Sequence, residues 1–198
     1  MSILKKKNLK SFLIYKLCLL IIILALLGTV FGHNVDTKME VKQPILVYND
    51  SKEFIESLNT CINWVEKDRI IFQNVPREII LAQAIIESDY GTSRFAKEGN
   101  NLFGVMTFNL DEPHLKPYKD ENSKFGARVY PNKCDSVKHY IFVLNNSSAF
   151  EDFRELRYKM LKEDNLDVLK LVETLTRYAE NPNYIKILKR TIKLLRNE

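Results

Sequence analysis

Residues 75–104 read VPREIILAQAIIESDYGTSRFAKEGNNLFG, and this stretch predicts a buried helix that ends on a carboxylate. Apolar side chains fill the run from Ile79 to Ile86, and only Gln83 interrupts it. A helix that is apolar on all sides lies in a protein core. A proline near the start and a glycine after the end bound this helix to residues 75–90. The pattern therefore predicts a core helix with Glu87 near its C-terminal end, where the chain turns towards solvent.

The predicted position of Glu87 has consequences for its acidity. Apolar surroundings disfavour the charged form of a carboxylic acid and raise its pKa, and the negative end of a helix dipole acts in the same direction. A carboxyl group that stays protonated near neutral pH can donate a proton to a leaving-group oxygen, as the general acid does in glycoside cleavage. The alternative is an ordinary solvated glutamate at a helix end, which is the commoner situation for a single carboxylate.

Residues 81–104, LAQAIIESDYGTSRFAKEGNNLFG, resemble the catalytic helix and following loop of the bacterial glucosaminidase family. This family includes the flagellar-rod peptidoglycan hydrolases and the Bax-type proteins, and it is similar to the mannosyl-glycoprotein endo-N-acetylglucosaminidase domain. The resemblance is weaker at Phe125–Tyr130 and Ser136–Arg157, and it is clearer at Tyr178–Tyr184. It covers most of the chain after Ile70.

The resemblance implies an α+β fold that is mostly α, namely a lysozyme-like helical domain with a small β-hairpin lobe and a cleft between them. It implies an endo-β-N-acetylglucosaminidase that cleaves β-1,4 bonds after N-acetylglucosamine in peptidoglycan, with Glu87 as the general acid. The segment YAENPNY begins at Tyr178 and resembles a tyrosine-containing family motif. A catalytic role for Tyr178 follows from the resemblance, whereas packing between helices is the alternative for a buried tyrosine.

Five further residues are candidates for contact with the sugar. Asparagine amides beside a cleft can hold hydroxyl or acetamido groups, and their alternative role is local hydrogen bonding within a turn. Aromatic rings can stack on a sugar face, although core packing is an equally good explanation of each ring. The candidates are Asn100, Asn101, Phe103, Tyr90 and Tyr184, of which Tyr184 fits a structural role best.

Hydrolysis of a glycosidic bond usually needs a second carboxylate, which acts as base or nucleophile. In the resembled family it comes from the hairpin region, which here contains Asp111, Glu112, Asp120 and Glu121. An alignment anchored on Arg128–Tyr130 favours Glu121, whereas a hairpin as long as that of the flagellar hydrolases favours Glu112. Attack by the substrate's own 2-acetamido group is a third option, so the choice between retention and inversion stays open.

The net charge of +5 belongs to the N-terminal segment, because five lysines and no acidic residue precede residue 36. This distribution argues against a nucleic-acid-binding surface. The apolar run Leu17–Phe31 is intermediate in length between a signal-peptide core and a membrane span. We therefore expect residues 1–32 to be a signal peptide or a signal anchor, with the N-terminus in the cytoplasm. The remaining chain would lie in the cell envelope, facing the periplasm or the exterior.

Residues 33–50 are predicted to form a linker and residues 51–198 the catalytic domain, which is large enough to bury a core. A hairpin is expected near residues 120–130. Helices are expected at residues 51–71, 75–90, 93–97, 134–144, 149–161, 165–177 and 184–196.

Cys61 and Cys134 fall in the exported part, where an oxidising environment permits a disulfide, although two buried thiols fit the sequence equally well. The spacing of cysteine and histidine does not indicate a zinc site. We expect no metal and no cofactor, and a monomer that binds peptidoglycan glycan strands.

Two other functions compete with this interpretation. A lytic transglycosylase or muramidase also uses one glutamate on a core helix of a lysozyme-like fold, and the transglycosylase leaves an anhydro product. The NNLFG segment differs from the Gly-Leu-Met-Gln stretch expected there, so this function ranks second. The third is a non-catalytic module that binds cell-envelope glycans, for which Glu87 would have no catalytic task.

Overall fold

The computed structural model describes residues 42–118 and 122–197 of the 198-residue chain. Within these ranges the protein is mostly helical and has one small antiparallel sheet, as predicted. The expected signal peptide or anchor, residues 1–32, lies outside the described residues. Among the residues that are described, no helix is both long enough and apolar enough to cross a bilayer.

The predicted order of helices is confirmed in this part of the chain, but several helices are shorter than expected. The first ends at residue 66 rather than 71, and residues 165–177 hold a single helical turn followed by a 3-10 turn. The α-helices are α1 (Ser51–Glu66), α2 (Arg77–Ser88), α3 (Arg94–Gly99), α4 (Lys133–Asn146), α5 (Glu151–Lys162), α6 (Val168–Leu171) and α7 (Tyr184–Leu195). The 3-10 turns are Ile71–Gln73, Ser148–Phe150 and Val172–Thr174.

Side-chain caps mark the start of α1, α3, α4 and α6. The Asp50 carboxylate accepts a hydrogen bond from the backbone N of Glu53 at 2.8 Å, which starts α1. The Asp167 carboxylate accepts one from the backbone N of Lys170 at 3.0 Å, which starts α6 at Val168, three residues later than the helix predicted from residue 165. In both places the cap satisfies a backbone donor that has no partner within the helix.

Helix α2 is the core helix of the domain and contacts both α1 and α7. Its buried side chains are Ile79, Ile80, Leu81, Ala82, Gln83, Ala84, Ile85 and Ser88. Burial on all sides confirms the prediction of a core helix. Two of these buried residues, Gln83 and Ser88, are polar, so their side chains must find hydrogen-bond partners inside the protein.

A disulfide joins α1 to α4. Cys61 and Cys134 are fully buried, and their Cα atoms lie 5.5 Å apart, within the usual range for a bridged pair. The sequence alone left this bond and two free thiols as equal alternatives. The bond fixes α4, which carries several of the residues discussed below, against the first helix of the domain.

The sheet has three short strands in the order β1–β3–β2, with both pairs antiparallel: β1 (Met106–Thr107), β2 (His114–Leu115) and β3 (Gly126–Arg128). The predicted hairpin is the β2–β3 pair. Strand β1 was not predicted, because two residues are too few to show an alternating pattern. A Cβ atom at Gly126 would lie 2.6 Å from the His114 ring, so glycine allows β2 to approach the central strand.

Residues 43–50 form no helix or strand, but they pack against the domain. Leu46 is buried, and the Tyr48 hydroxyl donates to the backbone O of Gly91 at 3.1 Å. Gln43 donates hydrogen bonds to two side chains at the start of α4. This part of the segment predicted as a linker therefore covers the loop that follows α2.

Breaking the Cys61–Cys134 disulfide should destabilise the domain by about 2–5 kcal/mol, because the bond closes a long loop in the unfolded chain. The two cysteines are 73 residues apart in sequence. Urea unfolding of the full-length protein with and without reductant measures the effect, and a Cys61→Ser/Cys134→Ser variant should match the reduced protein. Equal unfolding midpoints in the oxidised and reduced states would contradict this expectation.

Candidate active site

The Glu87 side chain lies in the last turn of α2 and is half-buried. Burial raises the pKa of its carboxyl group above the ordinary glutamate value, and a hydrogen bond from Tyr184 partly opposes that rise. The Tyr184 hydroxyl donates to Glu87 Oε1 at 2.8 Å. The carboxyl group thus has one oxygen held by the protein and an acidity shifted in the direction that suits a proton donor.

The helix ends beside Glu87 because three successive residues adopt left-handed backbone conformations. These residues are Asp89, Tyr90 and Gly91, with φ values of 49°, 51° and 76°. The helix therefore stops before the glycine that marked its end in the sequence. A Cβ atom at Gly91 would lie 2.1 Å from the Tyr48 hydroxyl, so both the space and the backbone conformation require glycine there.

A chain of hydrogen bonds leads from Glu87 into the core. The oxygen of the Tyr184 hydroxyl accepts a hydrogen bond from Gln83 Nε2 at 2.9 Å, and the Tyr140 hydroxyl donates to Gln83 Oε1. Gln83, Tyr140 and Tyr184 have exposed fractions of 0%, 1% and 5%, so water does not compete for these bonds. We call these three residues and Glu87 the carboxyl relay.

The loop after α3 approaches the second oxygen of the carboxyl group. Gly104 has a φ of 63°, and a Cβ atom placed on it would lie 3.6 Å from Glu87 Oε2. Glycine adopts this conformation readily and leaves the space next to the carboxyl group unfilled. Glu87 Oε1 therefore belongs to the carboxyl relay, and Oε2 lies beside the backbone of this loop.

Asn101 holds the same loop in place from inside. Its Nδ2 donates to the backbone oxygens of Val105 and Arg128, each at 2.9 Å, and its Oδ1 accepts from the backbone nitrogens of Phe103 and Val105 at 3.3 and 3.1 Å. The side chain is 1% exposed. All four hydrogen-bonding positions of the amide are thus used within the protein. This geometry supports the local turn-bonding alternative, and sugar contact by Asn101 stays an untested prediction.

Tyr178, the predicted catalytic tyrosine, lies next to the carboxyl relay. Its hydroxyl donates to the backbone O of Phe103 at 3.0 Å, and its ring stacks on that of Tyr184 with centroids 5.6 Å apart. Burial raises its pKa well above the ordinary value, and the negative charge of Glu87 adds to that rise. The phenol therefore stays protonated and positions the loop before Gly104.

The other predicted sugar contacts differ in burial and in the contacts that their side chains make within the protein. Phe103 is 2% exposed, and its ring stacks on Tyr140 with centroids 4.1 Å apart. Asn100 donates to the backbone oxygens of residues 130 and 131. Tyr90 packs edge-on against Phe54 and lines a groove of about 630 Å³ that does not include Glu87. The structure therefore brings Tyr184 into contact with Glu87, whereas Phe103 contributes to the core.

The candidates for the second carboxylate differ in their surroundings. Glu112 is half-buried, forms an ion pair with Arg128 at 2.6 Å and accepts a hydrogen bond from the Thr107 hydroxyl at 3.1 Å. Asp111 is exposed. Asp120 and Glu121 lie outside the described residues. The ion pair gives Glu112 a structural task, since it links the loop before β2 to the central strand β3.

Sequence reasoning missed the inner members of the carboxyl relay. Gln83 was identified only as an interruption of an apolar run, although it lies four residues before Glu87 and hence on the same helix face. A polar residue at that position in a core helix is a usable signal, because it needs a buried partner. Tyr140 carried no such signal, since its proximity to Gln83 depends on the packing of α4 against α2.

The described residues contain no group of three or more histidine, cysteine, aspartate or glutamate side chains that could hold a metal ion. The described groups next to Glu87 include the phenol of Tyr184 and the backbone of Gly104.

Comparisons with known proteins agree on one family. The family model described as mannosyl-glycoprotein endo-beta-N-acetylglucosaminidase matches residues 71–197. The chain is 32% identical over 158 residues to an N-acetylmuramoyl-L-alanine amidase domain-containing protein of Staphylococcus aureus, covering 73% of this chain and 24% of that protein. It is 28% identical over 193 residues to the exo-glucosaminidase LytG of Bacillus subtilis, covering 91% of this chain and 63% of that protein.

A solved structure supports the fold. The catalytic domain of the autolysin Auto from Listeria monocytogenes superposes with a TM-score of 0.55 at 23% identity, over 83% of this chain and 94% of that one. The chain spans less than two thirds of the length of these curated relatives. The family match covers well over half of the chain and includes both Glu87 and Tyr184. The chain belongs to the glucosaminidase family.

Proposed function

We propose that this protein is a glycoside hydrolase that cleaves β-1,4 bonds after N-acetylglucosamine in peptidoglycan, with Glu87 as the general acid. The observation that carries the proposal is the Glu87 carboxyl group, which is half-buried at the end of a core helix with a raised pKa and one oxygen held by Tyr184. Such a group keeps its proton at a pH where an ordinary glutamate has lost it. Family membership supplies the reaction class.

In the proposed reaction, Glu87 transfers its proton to the glycosidic oxygen as the bond from that oxygen to the sugar's anomeric carbon breaks. Water supplies the hydroxyl group that the anomeric carbon gains, either directly or after a nucleophile has attacked, and a carboxylate takes up the proton that this water loses. Tyr178 holds the loop beside Glu87 through its bond to Phe103. We place sugar contact at the surface of this loop.

We assign the second carboxylate to Glu121, in keeping with the sequence alignment. The observation that favours this assignment is the engagement of the competing residue, because Glu112 is already bound by Arg128 and Thr107. Attack by the 2-acetamido group of the substrate remains the competing mechanism.

The enzyme would act in the cell envelope and would cleave within glycan strands. Residues 1–32 would export the domain to the peptidoglycan and would then either be removed or anchor it in the inner membrane. We propose that the domain acts there as a monomer. The name of the relative LytG describes an exo-acting enzyme. We propose endo-action, and the size of the first soluble products separates the two modes.

Glu87→Gln should lower kcat by at least a hundredfold, because glutamine cannot donate the proton, and general acid catalysis is worth about 10²–10⁴-fold. The measurement is release of muropeptides from peptidoglycan by the full-length protein, followed by mass spectrometry of reduced products. Reducing N-acetylglucosamine ends support the proposal. Anhydro-muramic ends would instead establish a transglycosylase, and unchanged activity in Glu87→Gln would remove the acid assignment.

The same variant should not be less stable at neutral pH. Because the folded protein raises the pKa of Glu87, the folded state binds this proton more tightly than the unfolded chain does. This group therefore favours folding at acidic pH, and its contribution is lost as pH rises above the ordinary glutamate pKa and through the raised one. We expect Glu87→Gln to melt at the same or a higher temperature at neutral pH, and a clear decrease would point to a structural role.

Glu121→Gln should lower kcat strongly, whereas the matched variant Glu112→Gln should mainly reduce stability by removing the ion pair with Arg128. Initial rates and thermal melting of both variants make the comparison. Full activity in Glu121→Gln together with loss in Glu112→Gln would transfer the role to Glu112. Full activity in both would favour assistance by the substrate.

A further inference from the structure

The carboxyl relay has a direction that the donors and acceptors determine. A phenol has one proton to donate, and an amide has a donor end and an acceptor end. In the structure the Tyr140 proton goes to Gln83 Oε1, the Gln83 Nε2 proton goes to the Tyr184 oxygen, and the Tyr184 proton goes to Glu87 Oε1. Every donor in this chain of hydrogen bonds therefore points towards Glu87.

The inner end of the relay fixes this direction. Tyr140 is 1% exposed, and Gln83 Oε1 is the acceptor that its hydroxyl proton has among the described residues. If the Gln83 amide turned over, its NH₂ group would face Tyr140, and the buried hydroxyl proton would lose that acceptor. A buried donor without a partner is costly, so the amide is held in one orientation.

We propose that Gln83 and Tyr140 are positioning residues of the reaction, which hold Tyr184 as a donor to Glu87 Oε1 and so assign the transferable proton to Oε2. The inference rests on the proposed function, in which Glu87 is the acid. Oε1 already receives the phenol proton, so a protonated carboxyl group carries its own proton on the other oxygen. That oxygen lies beside Gly104, which contributes no side chain to the space there.

The relay also limits how far burial raises the pKa of Glu87. A donor to the ionised carboxylate favours that form, so the bond from Tyr184 lowers the pKa of Glu87 while burial raises it. The ionisable groups that interact here are phenols: Tyr140 on α4, Tyr178 before α7 and Tyr184 on α7. Burial raises the pKa of each. None of them titrates near neutral pH, so a pH-dependent change there reports on Glu87.

The test uses Tyr140→Phe in the full-length protein, because this change removes the inner donor without touching Glu87. The Gln83 amide then becomes free to turn over, and Tyr184 donates to Glu87 for part of the time only. We expect the pKa of Glu87 to rise, in the same direction as in Tyr184→Phe and by no more. We expect kcat at acidic pH to fall about threefold to tenfold with KM unchanged, the range that loss of one hydrogen bond produces.

A double variant separates the relay from independent effects of the two tyrosines. Once Tyr184→Phe has removed the link to Glu87, adding Tyr140→Phe should not shift the pKa of Glu87 further. The matched control is Tyr130→Phe, which removes a buried phenol whose partner is His139 at 2.7 Å, outside the relay. This control should leave the pKa of Glu87 where it is in the unchanged protein.

Two readouts keep the relay and the proposed function distinguishable. The pH profile of kcat measures the acid in turnover, and the ¹³C shift of the Glu87 side-chain carboxyl, assigned with Glu87→Gln, measures the same pKa without any substrate. A protein with no hydrolytic activity would refute the proposed function while the ¹³C titration still tested the relay. No shift in Tyr140→Phe, additive shifts in the double variant, or an equal shift in Tyr130→Phe would each overturn the relay.

Gln83→Glu provides a second variant with a different signature. A protonated carboxyl group offers one donor and one acceptor, as the amide does, whereas an ionised one only accepts. The variant should therefore keep near-normal activity at acidic pH and lose it as the new carboxyl group ionises. Gln83→Met cannot titrate, so it should show lower kcat without an added pH-dependent step. Parallel pH profiles for the two variants would indicate that Gln83 only fills space.

Discussion

The structure depends on the requirement that polar groups buried on helix α2 find partners inside the protein. Most of α2 is surrounded by apolar side chains, yet Gln83 lies in its middle and Glu87 one turn later. An amide at that depth is tolerated only if both of its ends are bonded. Tyr140 from α4 and Tyr184 from α7 meet that requirement, and their hydrogen bonds link these two helices to the core helix.

The same arrangement produces a carboxyl group with opposing influences on its acidity. Burial disfavours the ionised form of Glu87, and the phenol of Tyr184 favours it. A general acid needs both, since it must hold a proton before bond cleavage and tolerate the negative charge afterwards. Two neighbouring side chains, Tyr178 and Asn101, donate hydrogen bonds to the backbone of the loop beside the carboxyl group. Hydrogen bonds from side chains around Glu87 thus connect both the loop and the carboxyl group to the core.

The sequence predicted those features that depend on local patterns. The apolar run of α2 and the position of Glu87 near its end follow from helical periodicity and from the glycine beyond it. The pattern did not reveal that Asp89 and Tyr90 would take left-handed conformations. It also did not reveal the contact of Gly91 with Tyr48, which lies 43 residues earlier in the chain.

The candidate site residues also divide into those that local sequence indicates and those that depend on long-range contacts. Glu87 was predicted as the acid from the family resemblance together with its place at a helix end, whereas Tyr184 was interpreted as structural because nothing local connects it to a carboxylate. Its role follows from a contact between α2 and α7 across 97 residues of sequence. The asparagine at 101 was predicted to hold sugar, but an amide that closes a turn and one that binds ligand have the same local sequence context. Only the saturation of its bonds in three dimensions favours the turn.

The contact between the core helix α2 and the last helix α7 also has a consequence for how the domain is assembled. Glu87 and Gln83 are synthesised about a hundred residues before their partner on α7. Until α7 docks, the α2 side of the core lacks its cover, and the carboxyl group lacks both the burial and the donor that set its acidity. The surroundings of Glu87 are therefore complete only when α7 is docked, and a chain that stops before residue 184 contains Glu87 without the tyrosine that donates to it.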